Sequence, residues 1–351
     1  MIQKGSDPNC TILLDLLYLY TMIKELTSLR FILIMVIFFH HALPSYPGGG
    51  DMGVACFFVL SGFCYALGYG SKVKAADFNY RGFIKSRLAK FYPLHWITLL
   101  IAIPISLHVG LGWKNGVILG INGLLLQSWI PLSSVYYSFN GVSWFLSDMV
   151  FLVAVFPFLS RLLDSGSRRW LFIIPAVAVY CILCIWTPAD LRNAILYVNP
   201  VVRLCDFAVG ILSGMWYLRL KDNVSVTEFV QRHKVFLRIV SAASLLVLLF
   251  MSVFIPEQYT LMAFMFWPAV VLMLICISLN PGGLLSTPLL QRLGQISFPF
   301  YMIHQLVIRY LDILSDIVVI DLNRVALVLI ALFVSIVFSF LLNKYVIHLR
   351  K

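Results

Sequence analysis

Hydrophobic runs of 18 to 22 residues recur from one end of this sequence to the other, each close to the ~20 residues that a helix needs to cross a bilayer. Charged residues make up only 12% of the chain, against roughly 25% in soluble domains, and the mean hydropathy is +0.93. A disordered chain, a coiled coil and a water-soluble enzyme core are thereby excluded. The expected fold is an all-α integral membrane protein, a bundle of about ten transmembrane helices. The spans read as 26–43, 52–70, 91–109, 142–161, 170–187, 200–218, 236–255, 260–279, 293–311 and 325–346. The apolar stretch 117–130 is too short for a span and contains Gly120, Asn122, Gly123 and Gln127, so it reads as a re-entrant or interfacial segment.

Lys and Arg in short loops hold those loops in the cytoplasm. With the N-terminus inside, every cation except Lys114, Arg192, Arg203, Arg309 and Arg324 falls on the cytoplasmic side. The opposite side carries Asp312, Asp316 and Asp321. Making 117–130 a true span would invert everything after it, so both termini are expected in the cytoplasm. The net charge of +11 is explained by these loops and by contact with anionic membrane lipid, and nucleic acid is not an expected partner. Residues 1–21 show no cleavable signal and read as an N-terminal extension, with residues 22–351 forming one membrane domain. Cys56, Cys64, Cys181, Cys184, Cys205 and Cys276 lie in apolar stretches and read as buried free thiols, with no metal site expected.

Ionisable groups inside a membrane span are costly and turn toward the bundle interior, so each marks a candidate site. The first span carries Arg30 near its cytoplasmic end and His40 and His41 at the other. Eleven residues bring a helix back to within 20° of its starting direction, so Arg30 and His41 share a face about 16 Å apart along the axis, while His40 points elsewhere. Arg87 and Lys90 stand one turn apart at the cytoplasmic edge of the third span, before a Pro93 that reads as helix-starting, and suit a phosphate-bearing ligand. Asp148 in the fourth span needs a partner, for which a histidine is a candidate. Arg203 and Asp206 in the sixth read as a structural ion pair, and His304 with Gln305 falls in the ninth.

The order of these residues resembles the acyltransferase 3 family of integral membrane O-acyltransferases. The resemblance rests on Leu29-Arg30 with His40-His41, on the Gly53-Val54-Ala55-Cys56-Phe57-Phe58-Val59-Leu60-Ser61-Gly62-Phe63 block and on Arg87 to Trp96. Trp144-Phe145-Leu146-Ser147 and the Leu293-Gly294 to His304 block complete it. It covers essentially the whole chain from Met22 on. Two positions depart from the family pattern: Ala55, where an acidic residue is frequent, and Met149, where a Glu is frequent and Asp148 stands one position earlier.

The resemblance implies transfer of an acyl group, mostly acetyl, from an acyl-CoA donor to a hydroxyl of a cell-surface or lipid-linked carbohydrate. The bacterial cytoplasmic (inner) membrane is the expected location. It further implies that Arg30 and His41 are essential. An alcohol is a weak nucleophile, and a neutral imidazole suits the task of taking its proton near pH 7, so His41 is the candidate general base. Arg87, Lys90 and Arg30 are the candidates for holding the donor phosphates. Asp148 is a stand-in carboxylate, and His304 a candidate for oxyanion stabilisation or acceptor binding. No nucleophile triad is spaced for an acyl-enzyme, which favours direct transfer. A glycolipid or polysaccharide transporter or flippase is the alternative, since polar groups through a bundle also describe a permeation path; internal repeats, usual in transporters, are not visible.

The charge distribution generates a topology test. A reporter fused after Lys90 or Arg169 should be cytoplasmic, and one placed in 131–140 extracytoplasmic. Cytoplasmic labelling of a single cysteine introduced at Ser134 would overturn this arrangement.

Overall fold

The computed structural model describes residues 23–43, 49–107, 113–256, 259, 261–318 and 323–347, so the extension at 1–21 lies outside the described residues. Among the described residues every regular element is helical. Eight helical stretches among the described residues are long and apolar enough to cross a membrane. They contain α1 (Lys24–Ala42), α2 (Gly50–Tyr69), α3 (Tyr80–Leu107), α5 (Trp144–Leu163), α6 (Trp170–Trp186), α7 (Pro200–Lys221), α9 (Lys234–Phe254) and α13 (Arg324–Leu342). The other two expected positions hold helices of different character. Helix α10 (Trp267–Leu279) has only 13 residues, whereas α12 (Ser297–Val318) has 22 but carries Arg309, Asp312 and Asp316. Among the described residues there are also the short helices α4 (Trp113–Gly123), α8 (Val224–Arg232) and α11 (Pro288–Gln295), and a single helical turn at Ser133–Tyr136.

Two expected boundaries are corrected. Pro93 does not start a helix; it lies inside α3, which begins at Tyr80 and also contains Pro104. Neighbouring helices and side chains can satisfy the carbonyls a proline leaves unpaired, so membrane helices tolerate it. The span expected at 293–311 is broken at Ile296, with Leu293 in α11 and the long helix starting at Ser297.

Burial follows the bilayer as solvent. Helix α2 is the most enclosed of the eight stretches and α6 the least, with Leu171, Ile185, Leu246, Phe250 and Phe333 of α6, α9 and α13 turned outward. Cys181 is exposed on α6 and Cys205 is half-buried on α7, so the thiols are less uniformly buried than their apolar surroundings suggest. Helix α1 packs against α2, α11 and α12, which encloses the face carrying its ionisable groups.

Helices α2 and α7 meet backbone against backbone. A β-carbon at Gly62 would stand 2.1 Å from the Phe207 carbonyl oxygen, and one at Gly210 2.0 Å from that of Val59. One turn on, Gly214 meets Ala66. Lipid is as apolar as leucine, so helices in a membrane gain little from apolar burial against each other and associate through close packing of small residues. Gly210 and Gly214 form the G-x-x-x-G spacing of that kind of contact.

The 117–130 stretch is not one continuous helix. Helix α4 has 11 residues, about 16 Å long, and ends at Gly123. Its last carbonyls would be stranded without water. Three side chains spaced i, i+3, i+4 on α3 solve this: His95 Nε2 donates to the Asn122 carbonyl (2.8 Å), Trp96 Nε1 to that of Gly123 (3.0 Å) and the Tyr92 hydroxyl to that of Leu124 (3.0 Å). The chain then reverses through Leu125, whose φ of 57° is held by the Ser147 hydroxyl donating to its carbonyl at 2.6 Å.

Gly210→Val should force α2 and α7 apart and destabilise the bundle by at least the ~1–3 kcal/mol typical of overpacking. Gly120, where an added β-carbon would meet nothing within 4 Å beyond its own helix, should accept valine with little change. The fraction of each variant remaining monodisperse after heating in detergent measures the difference, and equal behaviour would contradict the contact.

Candidate functional site

Helix α1 ends at Ala42, whose carbonyl accepts from Arg324 Nε (3.0 Å) and Nη2 (2.7 Å), while Arg324 Nη1 pairs with Asp312 at 2.8 Å. This cationic cap meets the negative end of the helix dipole and anchors the turn carrying His40 and His41 against α12 and α13.

His41 Nδ1 lies 3.0 Å from His304 Nε2, although the two residues are 263 positions apart. His304 is fully buried, and its other nitrogen, Nδ1, lies 2.8 Å from the Tyr301 carbonyl and 3.1 Å from that of Phe300. Carbonyls only accept, so the proton of a neutral His304 sits on Nδ1 and its Nε2 holds a lone pair. That lone pair accepts from His41 Nδ1–H, which leaves the lone pair of His41 on Nε2. The tautomers are therefore assigned in series from a backbone anchor. The Phe300 ring lies parallel to His304 at 5.9 Å and Phe38 meets it edge-on at 6.3 Å, so the second imidazole is fixed in rotation as well.

His41 borders a cavity of about 520 Å³ whose wall is largely polar. The wall includes Asp51 at the start of α2, Tyr137 and Gly141 from the loop before α5, and Tyr197 from a π-helical turn before α7. Gln305 and Arg309 of α12 complete its polar part. His40 also borders the cavity, which corrects the expectation that it points elsewhere. The cavity surrounds the last turn of α1, so side chains 100° apart both reach it. The loop is tied to α12 by three hydrogen bonds. Arg309 donates to the Phe139 carbonyl (2.8 Å), Asn140 to that of Met302 (2.8 Å) and the Tyr301 hydroxyl to that of Val142 (3.0 Å). Tyr197 is held by Arg203, whose Nε donates to its carbonyl at 2.7 Å. Arg203 pairs with Asp206 at 2.7 Å as its spacing implied, and Trp267 Nε1 donates to the same carboxylate at 2.5 Å.

Arg30 lies eleven residues before His41 on α1, half-buried, with a guanidinium nitrogen 3.5 Å from Cys64 Sγ. Arg87 is almost completely buried on α3, its guanidinium 4.6 Å from the centre of the Tyr69 ring and 5.6 Å from that of Phe83. Tyr65 of α2 hydrogen-bonds to Arg87 and lies within electrostatic reach of Arg30, so three helices bring these two cations to one region. Lys90 follows one turn later on α3, half-buried. The sequence-predicted residues thus divide into two groups: Arg30, Arg87 and Lys90 toward one end of the bundle, His41 and His304 toward the other.

Asp148 joins neither group. It is fully buried in α5 and does not border the cavity, and its carboxylate lies against the Ser128 hydroxyl. The charges within reach are those of Arg203 and Asp206, and no histidine among the described residues meets it. Sequence reasoning also passed over Asp51, Tyr137 and Tyr197. For Asp51 a signal existed, since it is an ionisable group at the mouth of an apolar run; for the tyrosines none did.

A charge-neutral relay of this kind can accept a proton from a group in the cavity, and the cationic cluster can hold an anionic ligand. A general-base role for His41 predicts that His41→Ala lowers turnover by about 10²- to 10⁴-fold, and a positioning role for His304 predicts a loss of at least tenfold in His304→Ala. His40→Ala should be tolerated better, because His40 has no link to His304. Turnover measured at equal membrane abundance tests the ranking, and a near-normal His41→Ala would contradict it.

Comparison with known proteins completes the description. The family model described as acyltransferase domain matches residues 23–344. The chain is 32% identical over 286 residues to acyltransferase MdmB of Streptomyces mycarofaciens, which covers 74% of this chain and 69% of that protein. No solved structure matches.

Proposed function

Because the chain belongs to the acyltransferase domain family, we propose that it moves an acyl group, most simply acetyl, from acyl-CoA to a hydroxyl of a cell-surface or lipid-linked carbohydrate. The observation that supports this best is the His41–His304–Tyr301 carbonyl series, which leaves His41 with an unprotonated Nε2 at a polar cavity.

In this reading the acceptor hydroxyl gives its proton to His41 Nε2 while its oxygen attacks the thioester carbonyl. The C–S bond then breaks, and the same imidazole returns the proton to the departing thiolate. His304 makes no bond to substrate. Both its nitrogens are committed, so its role is to hold the tautomer and orientation of His41 and to share the positive charge that His41 acquires. This replaces the oxyanion role considered from sequence alone. Nothing in the arrangement requires an acyl-enzyme.

The donor belongs at the opposite end. Arg30, Arg87 and Lys90 lie toward the end that the loop charges assign to the cytoplasm, and charge-assisted hydrogen bonds suit them to phosphate. From Arg30 to His41 is eleven residues of helix, about 16 Å, a distance that an extended pantetheine arm can cover to deliver its thioester. The aromatic faces of Tyr69 and Phe83 preset the Arg87 guanidinium and reduce the freedom lost on binding. Asp148 has no step in this scheme.

Purified protein incubated with labelled acetyl-CoA and candidate glycans tests the activity directly and separates it from transport. In that assay Arg87→Gln with Lys90→Gln should raise the apparent KM for acetyl-CoA about tenfold or more and change kcat less, since each substitution removes contacts worth ~1.5–3 kcal/mol that are made in ground and transition states alike. An unchanged KM in a correctly inserted double variant would place the donor phosphates elsewhere.

A further inference from the structure

Gln305 follows His304 directly on α12, 100° further around the helix. One residue therefore orients the base, and the next borders the space that the base faces. Its amide rests on Gly141: a β-carbon there would stand 2.6 Å from Gln305 Oε1, so only a residue without a side chain leaves the amide its place. Gly141 cannot simply recede, because the hydrogen bonds from Arg309, Asn140 and Tyr301 tie its neighbours on both sides to α12.

In this position Gln305 Oε1 is buried and has no hydrogen-bond partner among the described residues. Leaving a buried amide oxygen unpaired is costly, so such a group calls for a completing partner, a water or a ligand. The amide can also turn about its last bond to exchange oxygen for nitrogen, since the two ends have nearly the same shape. A hydroxyl entering the cavity would supply the missing donor.

The charge of the cavity narrows what that hydroxyl belongs to. Its wall holds one carboxylate, Asp51, and one guanidinium, Arg309, which already donates to the Phe139 carbonyl. The cations suited to a phosphate lie at the other end of the bundle. The rings of Tyr137, Trp144, Tyr197 and Tyr301 also border the space and offer faces on which the C–H side of a sugar ring can lie.

We propose that Gln305 accepts a hydrogen bond from the hydroxyl next to the one that His41 deprotonates. The acceptor is then an uncharged carbohydrate presenting a vicinal diol, and Gln305 is the residue that selects which of the two hydroxyls is acylated. The proposal rests on the acyl-transfer reading above. Gln305 itself makes and breaks no covalent bond.

The test uses the full chain in membranes, labelled acetyl-CoA, and two probes of equal ring size, trans-cyclohexane-1,2-diol and cyclohexanol. Wild type should acylate the diol with a kcat/KM about five- to tenfold above that for the mono-alcohol, the effect of one neutral hydrogen bond. In Gln305→Leu the ratio should fall to about one, whereas Gln305→Glu, which keeps an acceptor oxygen, should retain a preference for the diol. Gly141→Ala should lower the ratio by displacing the amide, and it decides by the same criterion if Gln305→Leu fails to reach the membrane. A Leu variant with the wild-type ratio overturns the role of Gln305 and leaves acyl transfer standing. Absence of transfer by wild type to either probe and to the membranes' own glycans overturns acyl transfer to hydroxyls, and the proposal with it.

Discussion

Inside a bilayer there is no water to satisfy a polar group, and nearly every unusual feature of this protein is a response to that constraint. The end of α4 is closed by donors from Tyr92, His95 and Trp96, the end of α1 by Arg324, and the chain reversal at Leu125 by Ser147. Arg203 is enclosed with Asp206, and Trp267 takes the second carboxylate oxygen. The His41–His304 relay obeys the same rule. A buried imidazole must spend its N–H on something, and here the spending runs from a backbone carbonyl outward until only one lone pair is left, at the cavity. The chemistry attributed to His41 is thus what remains after the local hydrogen-bond requirements have been met.

Much of this was legible in the sequence, for identifiable reasons. Spans are set by length and hydropathy, which are local properties, and the positions of the long helices follow from them. The common face of Arg30 and His41 is simple helix geometry, and Arg203–Asp206 is an i, i+3 pair. What could not be read is whatever depends on a distant helix. His304 meets His41 across 263 residues, and no spacing rule reaches that far. Trp267 completes the Arg203–Asp206 pair from another helix again. Pro93 was misread because a proline at a helix start in water is a stronger rule than a proline within a membrane helix. Asp148 shows the converse error, since a buried carboxylate invites a histidine partner, and among the described residues the fold sets Ser128 beside it instead.

The close approach of α2 and α7 links the two ends of the bundle. Helix α2 carries Asp51 at the cavity and Tyr65 and Tyr69 at the cationic cluster, while α7 carries Arg203, which holds Tyr197. Glycine against backbone leaves no compressible side chain between these helices, so both ends are referred to one rigid pair. Regions that must hold a charge or a tautomer at a fixed depth are served by such an element better than by the loosely enclosed helices at the periphery.

Helix α10 has 13 residues, about 20 Å of rise, beside a hydrocarbon core of ~30 Å. Most of its side chains, Val270, Met273, Leu274, Ile275, Cys276 and Ile277 among them, are buried, and it packs against α9, α7 and α2. Lipid next to a short exposed segment would have to thin to match it. Here the missing length is screened by protein instead, so α10 can be short because it is internal, and an inner helix is released from the length rule that its outer neighbours obey.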